Sequence, residues 1–478
     1  MIDIDNALTP ADLLPVIQQM WTLSAAKIRS IEESCPPGSP SPVFTVEGKY
    51  TAQGWTEWTQ GFQYGGAALQ FDATGEEEFL EIARQRTLSQ MAPHLSHIGV
   101  HDHGFNNVST YGNLLRLAKE GRYEANEYEI HFYELALKLS GAVQASRWST
   151  TIDGTGYIYS FNGPQSLFVD TIRSCRSLSC AHALGHVLQG ERDQRFNLLD
   201  RVIQHARNTA RYNIWYGGGS PFLSQGELRD TYDIRGRTSH ESVFNTNNGD
   251  FRCPSTQQGY SAFSTWTRGL AWAMLGFPEQ LEFLQTRSNE ELAALGGREH
   301  IESFMLEAAC ATCDFYIERT PTDGVPYWDT GAPNLYKLGD YLSKPSDPAN
   351  NHEPVDSSAA AIACQGLIRL GRYLTAINRT DEADRYIQAG FSVLRSLLTD
   401  PYISTDANHQ GLLLHAVYHW PNGWDHVPAS MDIPFGESCM WGDYHLREAA
   451  LYVQRLAKGE PEYNFFAGVN SQLAGATS

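Results

Sequence analysis

The residues best equipped for chemistry are two aspartates, far apart in the chain, each set among aromatic or imidazole side chains. The first lies in His101-Asp102-His103-Gly104-Phe105. A carboxylate between two imidazoles can act as an acid or base, or join a metal site. A metal would need a further acidic or histidine ligand, and none stands nearby in sequence. The second, Asp170, interrupts the apolar run Phe168-Val-Asp-Thr-Ile172. A charge on a buried face is costly unless it is paired or used. Asp170 therefore reads as a helix cap or buried ion pair, or as a carboxyl raised in pKa by desolvation and poised as a general acid. A third group is Gln258-Gly-Tyr260 followed by Trp266-Thr-Arg-Gly-Leu-Ala-Trp272. Indole faces stack on sugar rings, and Arg268 offers a cation to a carboxylate or sulfate. On a helix Trp266, Arg268 and Trp272 spread over more than one face, so they meet only if that helix starts at a pocket rim. In Leu412-Leu-Leu-His-Ala-Val-Tyr-His419, Tyr418 and His419 are candidate site residues, and His415 reads as a satisfied core histidine.

Helices must position these groups. Apolar residues recur at helical spacing over 10–33, 78–92, 107–119, 124–144, 165–188, 194–213, 264–276, 299–318, 356–375, 380–398 and 442–457. In 124–144 the apolar positions include Tyr128, Phe132, Leu135, Ala136 and Leu139. Thr74 and Asp356 are expected as helix caps. Alternating β-branched runs are few and short, which predicts an all-α fold. The loops between helices carry Trp, Tyr, Gly, His and Asp, as in Gly54-Trp-Thr-Glu-Trp-Thr-Gln-Gly-Phe62. Exposed aromatic surface is costly, so such loops are expected to converge on a pocket. About a dozen helices with aromatic loops at one end suggest a helical toroid.

The 478 residues, 42% hydrophobic, can bury a large core, and no linker or low-complexity run divides them. Residues 1–478 are expected to form one domain, with helix 10–33 part of it. A net charge of -20 argues against nucleic acid and against a long polyanion in an open groove. A small sugar acid can still enter a pocket with local positive groups. No basic region and apolar core mark a secretory signal, so a cytoplasmic location is expected, and no run of about 18 apolar residues would span a membrane. The eight cysteines are scattered, not a disulfide framework, and Cys310-Ala-Thr-Cys313 reads as two core thiols.

Taken together these motifs resemble the unsaturated glucuronyl hydrolases of glycoside hydrolase family 88, related to the unsaturated rhamnogalacturonyl hydrolases of family 105. The likeness runs from about Trp55 to Tyr444. Trp58-Thr-Gln-Gly-Phe62 is similar to the family's W-T-x-G-F segment, and His101-Asp102-His103-Gly104-Phe105 to its H-D-x-G-F. Gln258-Gly-Tyr260 with Trp266-x-Arg268-Gly-x-Ala-Trp272 is the most specific match. Tyr327-Trp-Asp329, Asp356-Ser-Ser-Ala-Ala-Ala361 and Trp441-Gly-Asp-Tyr444 agree in order.

The resemblance implies an (α/α)6 barrel that takes a 4,5-unsaturated uronic acid from the non-reducing end of lyase-made oligosaccharides. It implies Asp170 as general acid and base, with Asp102 its carboxylate partner. Trp58, His101, His240, Gln258, Trp266, Arg268, Trp272, Tyr418 and His419 would bind the sugar. Protonation at C4 of the enol ether would give an oxocarbenium-like centre at C5 for water to attack, with no metal or organic cofactor. The partner would be a small unsaturated disaccharide, and the oligomeric state is open. The segment 156–162 lacks a tryptophan that stacks on substrate in family members; Tyr159 or Phe161 would stand in. Insertions near 213–236 and 335–353 depart from the family's lengths. Competing readings are the family 105 specificity, a sugar epimerase or isomerase on the same toroid, and a non-catalytic sugar-binding protein.

Overall fold

A computed structural model describes residues 1–54, 57–218 and 233–466. Trp55 and most of the 213–236 insertion lie outside the described residues. Twelve helical segments organise the rest: α1 (Pro10–Ser34), α2 (Gln60–Thr74), α3 (Glu77–Gln90), α4 (π-helical Gly104–Gly112 continued by Asn113–Lys119), α5 (Glu127–Ser146), α6 (Arg176–Ala183, after the turn Thr171–Ser174), α7 (Leu198–Asn213), α8 (Thr267–Gln285), α9 (Arg298–Arg319), α10 (Ser357–Ala376), α11 (Thr380–Leu397) and α12 (Met440–Lys458). The even-numbered helices pack side by side in sequence order, and α12 returns to α2. The odd-numbered helices lie outside them. The fold is an (α/α)6 barrel.

Burial separates the two rings. In α10, Ser357 to Gly371 are buried without a break, as expected of a helix enclosed on every side. The outer helix α11 buries one stripe and turns its charges outward. Helix α2 is an inner helix that the periodicity above does not reveal. Its glycines weaken the helical signal, yet they are required: a Cβ on Gly61 would lie 2.3 Å from the Asn106 Cα, and one on Gly65 would lie 2.5 Å from the Ser109 carbonyl oxygen. Thr74, expected to cap α3, instead closes α2 with its hydroxyl donating to the Gln70 carbonyl. Asp356 does cap α10, accepting from the Ser358 N–H at 3.1 Å.

Helix α5 forms as expected but is turned. Tyr133, Ala136, Leu137, Ser140, Gly141 and Gln144 face inward, whereas Tyr128, Phe132, Leu135 and Leu139 face solvent. Cys310 and Cys313 are buried free thiols in α9. His415 is buried, its Nδ1 accepting the Gly436 N–H. No helix among the described residues is long and apolar enough to cross a membrane.

Short strands decorate the mouth. The hairpin of β1 (Pro42–Val46) and β2 (Lys49–Ala52) leads to Trp58, and the Thr59 hydroxyl donates to the Pro42 carbonyl at 2.9 Å. β3 (Ser166–Phe168), β4 (Glu241–Phe244) and β5 (Phe251–Ser255) form an antiparallel sheet in that order, with Phe168 opposite Glu241.

Candidate active site

The sheet brings the first two functional side chains together. Asp170 follows the end of β3 and His240 precedes β4, and the Val169 N–H donates to the His240 carbonyl at 2.9 Å. Asp170 opens a helical turn, but its carboxylate makes no capping bond. Its Oδ2 lies 2.9 Å from His101 Nε2, and its Oδ1 faces His240 Nε2 at 3.6 Å. His101 is held by its own carbonyl, which accepts from Gln144 Nε2 and the Ser174 hydroxyl, both at 2.6 Å. Asp102 completes the group, 3.8 Å from the same His101 nitrogen. Close approach here needs Gly104, where a Cβ would lie 2.1 Å from the Ser174 carbonyl oxygen.

The charges sort in a way the sequence did not suggest. Burial pushes Asp170 up, as expected, but the imidazoles of His101 and His240 outweigh it and hold the carboxyl well below its usual range. Burial opposes charge on His101, yet Asp102 and Asp170 beside it hold its pKa above the ordinary value. Asp102 is raised, chiefly by burial, with His101 opposing and Asp170 adding to the rise. Both shifts favour the shared proton on His101 over a proton on Asp170. His103 points away, bonded to Ser140 and the His97 carbonyl.

A cavity of about 240 Å³ opens over this group. Trp58, His101, Asp102, Asp170, Gln258, Trp266, Arg268, Trp272, Tyr418 and His419 line it. The rim condition for the third motif is met, since α8 begins at Thr267 directly after Trp266. His240 alone among the expected residues is not in the lining; its ring sits behind, with centroids 4.3 Å from Phe168 and 4.6 Å from Trp266. Trp58 stacks on Trp441 at 4.9 Å. Arg268 is not the free cation its type suggested. It pairs with Asp356 at 2.7 Å and donates to Gln258 Oε1 and to the carbonyls of Val417 and Tyr418. Its charge is balanced within the wall, where it holds the Tyr418 segment in place.

Other contributors were not legible as site residues. His97, Gly99, Val100, Phe105, Phe168 and Gln257 also line it. Of the two stand-ins for the missing tryptophan, Phe161 lines the cavity and stacks on His101 at 5.9 Å, while Tyr159 lies under Arg147. Asp329 fixes the Gln258-Gly-Tyr260 loop by accepting the Tyr260 N–H at 2.9 Å, and burial lifts it to about 6. Asp425 holds the N–H groups of Tyr418 and His419 and is likewise lifted to about 6. Spacing gives no signal for Asp329, 69 positions from the N–H it accepts, whereas Asp425 is local, six and seven positions from the groups it holds. His101, Asp102 and Asp170 are the one group among the described residues whose possible metal-binding atoms converge within 4.8 Å. His101 Nε2 is engaged by Asp170 within that group.

No family model matches the chain. Over 404 residues, 84% of this chain and 80% of the relative, it is 25% identical to an unsaturated glucuronyl hydrolase of Formosa agariphila. Over 440 residues, 91% of this chain and 90% of the relative, it is 26% identical to an unsaturated chondroitin disaccharide hydrolase of Streptococcus pyogenes. The crystal structure of the unsaturated glucuronyl hydrolase from Bacillus sp. GL1 superposes with a TM-score of 0.67 at 22% identity, covering 93% of this chain and 98% of that one. Relatives that span most of the chain and a barrel shared along its length agree: over most of its length this chain is similar to the unsaturated glucuronyl hydrolases.

Proposed function

We propose that this chain is a glycoside hydrolase that removes a 4,5-unsaturated uronic acid from the non-reducing end of small oligosaccharides by hydrating the C4=C5 bond. The observation that carries the reading is Asp170 in an aromatic-walled cavity, one oxygen bonded to His101 and the other facing His240, with Asp102 alongside. The relatives' names point to glycosaminoglycan-derived disaccharides as the substrate class.

In this reading a proton moves from His101 to Asp170 along their 2.9 Å contact, and Asp170 delivers it to C4. The π electrons form the C4–H bond, and the ring oxygen stabilises the cation left at C5. Asp170, ionised again, takes a proton from water as its oxygen attacks C5. The hemiketal then collapses to a C5 ketone, its ring oxygen leaves C5, and the hemiacetal exposed at C1 expels the neighbouring sugar as an alcohol. Asp102 keeps negative charge near the cationic centre. Trp58, Trp266, Trp272, Phe161 and Tyr418 wall the ring, and His101, Gln258 and His419 offer polar contacts.

The test follows ultraviolet absorbance of unsaturated chondroitin, hyaluronan, heparin and rhamnogalacturonan disaccharides with wild type and Asp170→Asn. Loss of the conjugated ene-carboxylate signal is expected in wild type, with turnover reduced about 10²–10⁴-fold in the variant. A signal that persists with every disaccharide would overturn the proposal.

A further inference from the structure

The outward face of α5 is apolar along most of its length. Tyr128 is 88% exposed, Phe132 40%, Leu135 63% and Leu139 41%. Half-buried Ala142 and Val143 extend the stripe; α3, whose Arg84 pairs with Glu129, carries exposed Leu88 one turn further on. With aromatic side chains at 150–250 Å² each, Tyr128 and Phe132 alone present on the order of 250 Å². The leucines bring the patch to several hundred Å², the upper range for a monomer's largest patch and a substantial part of the roughly 800 Å² per partner of a standard interface.

The spacing of the stripe identifies the occupant. From Tyr128 the steps are four, three and four residues, which reads the same from either end and follows the seam of paired helices. Two copies of α5 laid antiparallel about a two-fold axis would set Tyr128 against Leu139 and Phe132 against Leu135, each contact occurring twice. The same register sets Lys138 of each copy opposite Glu129, whose carboxylate also pairs with Arg84 of its own chain. Within its own helix Lys138 is not paired with Glu134, which binds Lys119 instead. We propose that this face joins two copies of the chain in an isologous dimer, α5 against α5, at a distance from the cavity described above.

The full-length chain is to be examined by sedimentation velocity over a range of concentrations and salt, beside Leu135→Arg and the double variant Tyr128→Cys/Leu139→Cys. The wild type is expected to sediment at twice the mass of the 53.3 kDa chain. Added salt should favour association, because two copies at -20 each repel. Leu135 is exposed, so its replacement should leave melting and catalysis unchanged while weakening association by roughly 30-fold or more, the scale of a central interface residue. Oxidation of the double variant should yield a covalent dimer whose crosslinked peptide joins position 128 of one copy to position 139 of the other. A wild type that stays monomeric throughout overturns the proposal, and so does a dimer that persists in Leu135→Arg or crosslinks in another register.

Discussion

His240 Nε2 faces Asp170 Oδ1 because the other ring nitrogen is already taken: Nδ1 accepts the N–H groups of Gln257 and Gln258 at 3.1 and 3.3 Å. In the neutral ring the proton must then sit on Nε2, aimed at the carboxylate. In the proposed reaction His240 would therefore act through Asp170, from behind the cavity lining. Asparagine at 240 keeps an acceptor for the loop and removes the Nε2 donor. Asp170 should then rise from its depressed pKa, and the acid limb of kcat/KM should move to higher pH. An acid limb identical to wild type in His240→Asn would show that His240 does not hold Asp170 in its charged form.

Arg268 and Asp356 form a buried pair at 2.7 Å, and the same guanidinium holds the Val417 and Tyr418 carbonyls. Removing one partner of such a pair typically costs about 3–5 kcal/mol, because the other charge is left uncompensated. Arg268→Met is expected to unfold at markedly lower urea and to raise KM as the Tyr418 segment loosens. Urea unfolding and steady-state kinetics on one preparation check both. Unchanged stability with a raised KM would instead mark Arg268 as a direct substrate ligand.

Much of the scaffold was legible in the sequence because helical periodicity is local. Eleven of the helical segments could be read from it, and α2 was hidden by Gly61, Gly65 and Gly66, whose value lies in what packs against them. The aromatic motifs and both aspartates could be found as unusual residue types in loops or apolar runs. Their electrostatics could not, since the depression of Asp170 depends on imidazoles 69 and 70 positions away meeting it in space. Arg268 shows the same limit. Its type announces a cation, but only the fold reveals that Asp356 already balances it.

Phe161, one of the two residues expected to stand in for the tryptophan of the family likeness, stacks on His101 at an interplanar angle of 18° and lines the cavity. Phe161→Ala should raise KM by about 2–10-fold, the equivalent of one aromatic contact of 0.5–1.5 kcal/mol. Phe161→Trp should restore binding with the wild-type pH profile. A fall in kcat with KM unchanged would mean that the ring positions His101 instead of the sugar.

Stability should decline on the acid side of neutrality, because several histidines are folded in as neutral acceptors. His94 joins α2 to α4, with Nε2 at 2.8 Å from Gln60 Oε1 and Nδ1 at 3.0 Å from Asn106 Nδ2. That pattern fits a neutral ring that donates at one nitrogen and accepts at the other. Burial lowers His94, His103 and His415 each to about 4, from 6.5. Below 6.5 the unfolded chain binds protons that the folded chain refuses until about pH 4, at a cost of about 1.4 kcal/mol per group per pH unit. His101, raised by its carboxylates, has the opposite sign: its contribution is full below 6.5 and is lost as pH rises through its folded value. Asp329 and Asp425, lifted to about 6, and Glu282, lifted to about 7, also gain stability as pH falls. With His419 at about 4 and His205 and His445 at about 3, however, the depressed histidines number six and set the larger slope. Tm should therefore fall between pH 6.5 and 4. A calorimetric series across that range decides the point, and a Tm that holds level or rises toward pH 5 would contradict the neutral assignment of these rings.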